Sequence, residues 1–158
     1  MNYKNVFKVD ETSLFAHHSI KLVRWPATGQ VIAQVHEAGR EDVDLAVRAA
    51  KMALSGPWGR MMVAERASIL QRVSQGINDR FEEFLAAEVA DTGKPSSLAR
   101  IVDIPRGGAN FSTFADMIKN LGSEFFETDT PDGGKAINYG VTRPKGVIAV
   151  ISPWNLPL

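Results

Sequence analysis

The sequence predicts an α/β protein in which helices come first, a hairpin follows, and a buried strand comes last. Three observations lead to this fold class. Apolar residues recur at helical spacing between residues 41 and 121, and the period changes from about 3.6 to 2 after Gly122. An unbroken apolar run then occupies residues 147–151, with turn-forming residues on both sides. Helices followed by strands in this order are typical of an α/β domain with an antiparallel appendage.

The first elements are a hairpin and an amphipathic helix. Residues 22–25 and 31–35 are apolar-rich and flank a Pro/Gly turn at residues 26–30. From residue 41 to residue 54, apolar side chains return every three or four positions, which places them on one helical face. Gly56 and the residues after it are expected to end this helix.

A longer helix is predicted next, with its apolar stripe running from Val63 to Val89 over about seven turns. Residues 92–95, Thr-Gly-Lys-Pro, should stop it, because glycine favours a helix C-terminus and proline cannot continue a helix. Ser96 or Ser97 can cap a third helix. Pro105 and the two glycines after Arg106 should interrupt that helix, because proline lacks an amide donor.

The last elements are strands. Residues 124–128 and 135–143 are predicted to form a hairpin around the turn at 130–134. Residues 147–151 are predicted to form a strand buried on both faces. Ligands of open α/β sheets bind outside the carboxyl ends of strands, so the polar Asn155 stands where chemistry is usually done.

Composition narrows the class of protein. Eighteen basic residues balance eighteen acidic ones, so no net charge would attract nucleic acid or a membrane surface. The chain contains no cysteine, and its N-terminus lacks the apolar core of a signal peptide. His17, His18 and His36 show no metal-ligand spacing, so no metal site is predicted. A soluble cytoplasmic protein is expected.

Several motifs together resemble the aldehyde dehydrogenase superfamily. They are Pro-Ala-Thr-Gly at 26–29, Thr-Gly-Lys-Pro at 92–95, Arg-Pro-Lys-Gly-Val at 143–147 and Pro-Trp-Asn-Leu-Pro-Leu at 153–158. Within the superfamily, residues 35–40 and 125–139 most resemble the 2-hydroxymuconic semialdehyde dehydrogenases. The similarity begins near residue 26, and residues 1–25 are interpreted as a divergent N-terminal segment.

The resemblance implies a truncated, N-terminal part of that fold. Residues 26–121 would supply the hairpin and helices of the cofactor-binding domain, and residues 122–143 the strands of an oligomerisation arm. Residues 144–158 would supply the first strand of the dinucleotide-binding sheet and the cofactor and oxyanion loop. A homo-oligomer, an aldehyde substrate and NAD follow from the same resemblance, with NADP as the alternative cofactor.

The family mechanism uses a cysteine thiolate, a glutamate base and an asparagine amide that stabilises the oxyanion. Asn155 matches that asparagine, and a neutral amide donor suits developing negative charge. Its other interpretation is a turn residue between prolines. Four residues match positions that line the cofactor cleft: Ile151, Ser152, Pro153 and Trp154. The cysteine and the glutamate base lie outside these residues, so the chain alone is expected to be inactive.

Arg106 is the candidate substrate-binding residue. A muconic semialdehyde carries a carboxylate, and a guanidinium fork fits a carboxylate. The alternative is a solvated helix residue beside a kink. For the chain as a whole, the alternative function is a non-catalytic assembly module that uses the helices and the arm for interaction.

Overall fold

The computed structural model describes residues 20–153 and 155–158. Helices occupy the middle of the described chain, and one two-stranded antiparallel sheet lies on each side of them in sequence. The strands are β1 (Ile20–Arg24), β2 (Val31–His36), β3 (Phe125–Asp129) and β4 (Lys135–Tyr139). The helices are α1 (Arg40–Ser55), α2 (Pro57–Arg60), α3 (Val63–Asp79), α4 (Phe81–Thr92), α5 (Ser96–Leu98) and α6 (Ile104–Lys119), with a π-helical turn at Ala99–Asp103.

The predicted first hairpin is confirmed. Strands β1 and β2 pair antiparallel, with Ile20 opposite His36. In the turn, the Trp25 amide donates to the Gln30 carbonyl at 2.8 Å, and Gly29 takes a positive φ of 72°. A left-handed residue at this position favours glycine, which explains the Pro-Ala-Thr-Gly sequence of the turn.

Helix α1 forms where the periodicity predicts it. The Asp42 carboxylate accepts a hydrogen bond of 2.7 Å from the Gly39 amide, which satisfies a donor at the helix N-terminus. No residue of α1 is buried. Its apolar stripe is exposed in the described part of the chain, with Val43 and Leu54 among the exposed side chains.

The single long helix predicted from Val63 to Val89 is wrong, because the chain breaks at Arg80 into α3 and α4. Arg80 leaves helical geometry with φ −108° and ψ 28°. Asn78 and Asp79 precede it, and both residue types compete with the helix for backbone hydrogen bonds. Because the apolar spacing continues unbroken across Arg80, the periodicity could not reveal this break.

The predicted stop at Thr-Gly-Lys-Pro is confirmed. Gly93 adopts the left-handed conformation with φ 71°, and its amide donates to the Val89 carbonyl at 2.9 Å. The serine cap is wrong, since Pro95 is the residue before α5 and no side chain caps it.

The interruption predicted at Pro105 takes a different form. The wide π-helical turn comes first and runs directly into α6, since Asp103 keeps helical dihedrals, and Pro105 is the second residue of α6. Gly107 and Gly108 lie inside an intact helix and are buried. They are sites of close packing rather than points of weakness.

The core lies where α3 and α6 pack side by side and α4 meets the π-helical turn. Its buried members are Ile77, Leu85, Ala99 and Ile104. Partly buried apolar residues pack against them, namely Phe81, Phe84, Val89 and Leu158. Leu158 therefore brings the C-terminal segment onto the helices.

The second hairpin is also confirmed, although β4 ends at Tyr139 rather than at Arg143. Phe125 pairs directly with Tyr139, and both side chains are exposed.

The buried strand predicted at residues 147–151 is not formed. These residues belong to no strand, and Val150 and Ile151 are 87% and 94% exposed. A parallel strand needs hydrogen-bonded neighbours, and the described residues place none beside this run.

Candidate functional site

A cleft of about 190 Å³ opens between the helices and the C-terminal segment. Its walls come from α4, the π-helical turn, the start of α6 and the last residues of the chain. The lining residues are Glu88, Asp103, Arg106, Gly107, Asn110, Leu156 and Leu158. The cleft therefore joins the two segments in which the sequence predicted functional residues.

Arg106 lies in the first turn of α6 and is exposed at this cleft. Within residues 20–153 and 155–158, no carboxylate forms an ion pair with it. Asp103, one turn earlier in the same helical run, is engaged by Lys94 instead. The guanidinium is thus available to an anionic group that enters the cleft.

One wall of the cleft contains a largely buried ionic cluster. Lys94 Nζ lies 2.8 Å from Asp103 Oδ2 and 3.0 Å from Glu88 Oε1. The side chains of Lys94, Asp103 and Glu88 are 17%, 10% and 2% exposed. The hydrogen bond to Asp103 is the main cause that raises the pKa of Lys94, with a smaller contribution from Glu88, while burial opposes both.

The cluster connects the loop after α4 to the π-helical turn, and sequence reasoning missed it. From the sequence, Thr-Gly-Lys-Pro is interpreted as a helix stop and as a family motif, but not as part of an ion-pair cluster. The available signal was Glu88, which lies one turn after Leu85 on the apolar side of its helix. A carboxylate at such a position requires a buried partner, because an unpaired buried charge is costly.

A second ion pair holds the π-helical turn against α4. The Arg100 guanidinium donates to both Glu82 carboxylate oxygens, at 2.6 and 2.8 Å. This bidentate contact lowers the pKa of Glu82, chiefly through the hydrogen bond from Arg100. The turn that precedes Arg106 is therefore fixed to α4 on its exposed side as well as at the cleft.

The C-terminal segment also contributes to the cleft. Leu158 packs against the core, and Leu156 lines the cleft. Asn155 is exposed and immediately precedes Leu156, but it is not among the residues that line the cleft. The structure therefore brings Arg106 and the neighbour of Asn155 to one cleft.

The predicted cofactor residues lie just before this segment. Ile151, Ser152 and Pro153 are all exposed, and Trp154 lies outside the described residues. An apolar side chain and a hydroxyl at an open surface can supply one wall of a cofactor cleft.

Among the described residues, no group of three potential metal ligands comes together. His17 and His18 lie outside them. No helix in the described ranges is long and apolar enough to cross a membrane.

Comparisons with known proteins agree on one family. The sequence profile of the "Aldehyde dehydrogenase family" matches residues 16–158. Over 133 residues, the chain is 68% identical to a 2-hydroxymuconic semialdehyde dehydrogenase of Pseudomonas sp. (strain CF600). Over the same length it is 50% identical to a 2-aminomuconic 6-semialdehyde dehydrogenase of Pseudomonas sp.. Each match covers 84% of this chain and 27% of the relative, so the chain spans about a quarter of those proteins.

Solved structures give the same result. An NAD+ complex of aldehyde dehydrogenase from Bacillus cereus superposes with a TM-score of 0.66 at 35% identity, over 68% of this chain and 22% of that one. A putative aldehyde dehydrogenase from Burkholderia cenocepacia gives a TM-score of 0.65 at 35% identity, with the same coverage. The helices and hairpins described above are thus those of a known fold.

Proposed function

The chain belongs to the aldehyde dehydrogenase family, and we propose that it is the N-terminal part of an NAD-dependent enzyme. This enzyme oxidises an aldehyde that carries a carboxylate, in the class of the muconic semialdehydes, to an acid. The observation that carries the proposal is the cleft, which is lined both by Arg106 and by Leu156, the residue after Asn155. Among the described residues, no carboxylate forms an ion pair with Arg106. Two of the muconic semialdehyde relatives, at 68% and 50% identity, support this substrate class.

In this proposal, Arg106 recognises the substrate. Its guanidinium can donate two parallel hydrogen bonds to a carboxylate, a geometry that a lysine cannot reproduce. The neighbouring acids of the cleft, Glu88 and Asp103, are both neutralised in part by Lys94. The ionic cluster thereby limits repulsion between the cleft wall and an anionic substrate.

Asn155 supports the chemistry at the other end of the substrate. As a thiolate adds to the aldehyde carbon, the aldehyde oxygen becomes negative, and an amide donor stabilises it. The chain contains no cysteine, so in this proposal the thiolate comes from residues outside this sequence. The family resemblance implies the same for the glutamate that activates water. The 158-residue chain alone is accordingly expected to produce no NADH.

The proposed cofactor, NAD, is supported by the chemistry of three exposed residues. Ile151, Ser152 and Pro153 present apolar surface and a hydroxyl in the open, which suits one wall of a NAD cleft. These three residues do not distinguish NAD from NADP, and the similarity to an enzyme solved as an NAD+ complex supports NAD. When bound, NAD supplies the acceptor for the hydride that leaves the aldehyde carbon. These residues would hold and orient it.

A chimaera tests the proposal. The segment of the Pseudomonas sp. (strain CF600) enzyme that matches this chain is replaced by the corresponding residues of this chain, and NADH formation is followed with 2-hydroxymuconic semialdehyde. We expect an active enzyme. A chimaera that folds and assembles like the parent enzyme but forms no NADH would contradict the proposal.

Replacing Arg106 with Ala in this chimaera should selectively lower the rate at which aldehydes that carry a carboxylate are oxidised. A charge-assisted hydrogen bond contributes about 1.5–3 kcal/mol, so kcat/KM for the acid-bearing substrate should fall about 10- to 100-fold. For a neutral aldehyde of similar size, kcat/KM should change little. The matched control is Arg72→Ala in α3, which lies outside the cleft. An equal loss for both aldehydes would show that Arg106 is not the carboxylate ligand.

The β3–β4 hairpin is proposed to mediate homo-oligomerisation. Phe125, Tyr139 and Ile137 share one face and are all exposed. Both strands also have unpaired edges among the described residues, and such edges readily pair with another chain.

Replacing Ile137 with Lys should therefore weaken assembly of the chimaera. Loss of one buried isoleucine contact removes about 1.5–3 kcal/mol per site, so the dissociation constant should rise at least about tenfold. Light scattering over a dilution series measures this. The control is Thr128→Lys, which adds the same charge on the other face of the hairpin. Equal masses for both variants at every concentration would contradict an interface at this face.

A second function is supported by a separate observation. Exposed apolar side chains occupy α1, the hairpin and residues 147–151, and apolar surfaces of this kind favour an assembly module. The reading frame separates the two functions. Coding sequence that continues past Leu158 into a cysteine-containing region supports the enzyme, and a native stop codon supports the module.

A further inference from the structure

At Gly107, α6 and the C-terminal segment approach each other closely. A Cβ placed on Gly107 would lie 2.5 Å from Leu158 Cγ, 2.8 Å from Cδ2 and 3.4 Å from Cδ1. Two of these distances are shorter than real side-chain contacts permit. Leu158 therefore occupies the space that any larger residue at position 107 would need.

The backbone does not explain this glycine. Gly107 lies inside α6 and is absent from the glycines with positive φ. Glycine in a helix interior is less favourable than alanine. The compensating feature is the seat for Leu158, whose side chain reaches the core at Ile104 and its neighbours through this gap.

The seat adjoins both proposed functional residues in sequence. Arg106 precedes Gly107 in α6, and Asn155 is three residues before Leu158. Three residues of extended chain span at most about 11 Å, so anchoring Leu158 keeps Asn155 within that distance of the seat. Leu156, between Asn155 and Leu158, already lines the cleft.

We propose that Gly107 and Leu158 are positioning residues that set the place of the Asn155 amide relative to Arg106. The proposal rests on the function proposed above. Neither residue touches the reacting atoms; each acts through the segment that contains Asn155. A displacement of about 1 Å in a catalytic group costs about 100-fold in rate, so the seat should control kcat.

The test is a double-mutant cycle in the active chimaera. Gly107→Ala should force the C-terminal segment off its seat and lower kcat about 10- to 100-fold, with KM for the aldehyde changed less than about threefold. Leu158→Ala should lower kcat by removing the anchor. In the double variant the new methyl group enters the space that Leu158 vacates, so we expect kcat to be higher than in Gly107→Ala alone.

Gly76→Ala is the matched control. Gly76 also lies in a helix interior, in α3, but a Cβ there meets nothing within 4 Å. We expect unchanged kcat and an unfolding midpoint in urea that is equal or slightly higher. Comparing the urea midpoints of all variants distinguishes displacement of the segment that contains Asn155 from loss of folding stability.

Each outcome of this cycle either supports or overturns the positioning role of Gly107 and Leu158. A kcat in Gly107→Ala equal to that of the chimaera, or additive losses in the double variant, would overturn the positioning role. If Gly107→Ala does not fold, the test uses Leu158→Ala and Leu158→Val instead. These substitutions remove side-chain atoms and therefore create space without a clash. Folded variants of Leu158 with full kcat would refute the proposal. An inactive parent chimaera would instead count against the proposed function.

Discussion

In the chimaera, Asn155→Ala is expected to lower kcat about 100- to 1,000-fold and to leave KM for the aldehyde nearly unchanged. The amide is proposed to donate to an oxygen that becomes negative only during the reaction. Removing one such donor typically costs about 3 kcal/mol in the transition state. Binding of the uncharged aldehyde should be affected much less, so the loss appears in kcat.

Two variants sharpen this test. Asn155→Asp should be at least as impaired, because a carboxylate would repel the developing negative charge. Asn120→Ala is the matched control, since within the described residues its side-chain amide donates to the Asp116 carbonyl at the end of α6, at 2.8 Å. Initial-rate kinetics with saturating NAD measure all three. A higher KM with normal kcat in Asn155→Ala would assign this residue to substrate binding instead.

Lys94→Met is expected to destabilise the fold by about 3–5 kcal/mol. The substitution keeps most of the apolar length of the side chain and leaves Glu88, which is 2% exposed, without its cationic partner. Breaking a buried ion pair by removing one member is costly, because the remaining charge stays desolvated. Urea unfolding of the chimaera, followed by circular dichroism, measures the loss.

The control for Lys94 is Lys119, which forms an exposed ion pair away from the β3–β4 hairpin. Lys119 pairs with Asp116 at 2.8 Å near the end of α6, where the two side chains are 44% and 60% exposed. Exposed pairs contribute at most about 1 kcal/mol, so Lys119→Met should change stability little. Similar losses in the two variants would show that burial does not set the strength of the Lys94 cluster.

The same cluster gives a pH dependence. Hydrogen bonding, first to Asp103, raises the pKa of Lys94 above its usual value of about 10.4. The stabilisation is therefore fully present below about pH 10 and is lost as the pH rises through the folded-state value. Urea unfolding between about pH 8 and pH 11 should show this decline in the chimaera and a smaller one in Lys94→Met.

Local patterns predicted the elements well. Both hairpins follow from alternating residues around turns that require glycine, as at Gly29, and α1 follows from its apolar spacing. Such signals depend on neighbours in sequence. The apolar period does not reveal the break at Arg80, because the stripe continues across it; the local signal there is the pair Asn78 and Asp79.

The site required tertiary information. The residues of the ionic cluster come from α4, the following loop and the π-helical turn, and only packing of these segments brings Lys94 between two carboxylates. The proximity of Arg106 to the C-terminal segment likewise depends on Leu158 entering the gap at Gly107. The motif at 153–158 predicted a role for Asn155, which remains a prediction, but it could not predict this seat.

The exposed run at residues 147–151 is held at both ends. On one side, the Gly140 amide donates to the Glu124 carbonyl at 2.9 Å and closes the hairpin. On the other side, Leu158 is packed on α6. A tethered segment has already lost part of its chain entropy, so pairing it with another strand costs less than ordering a free tail. Because both ends are held, the run should pair with an added strand at a high effective concentration.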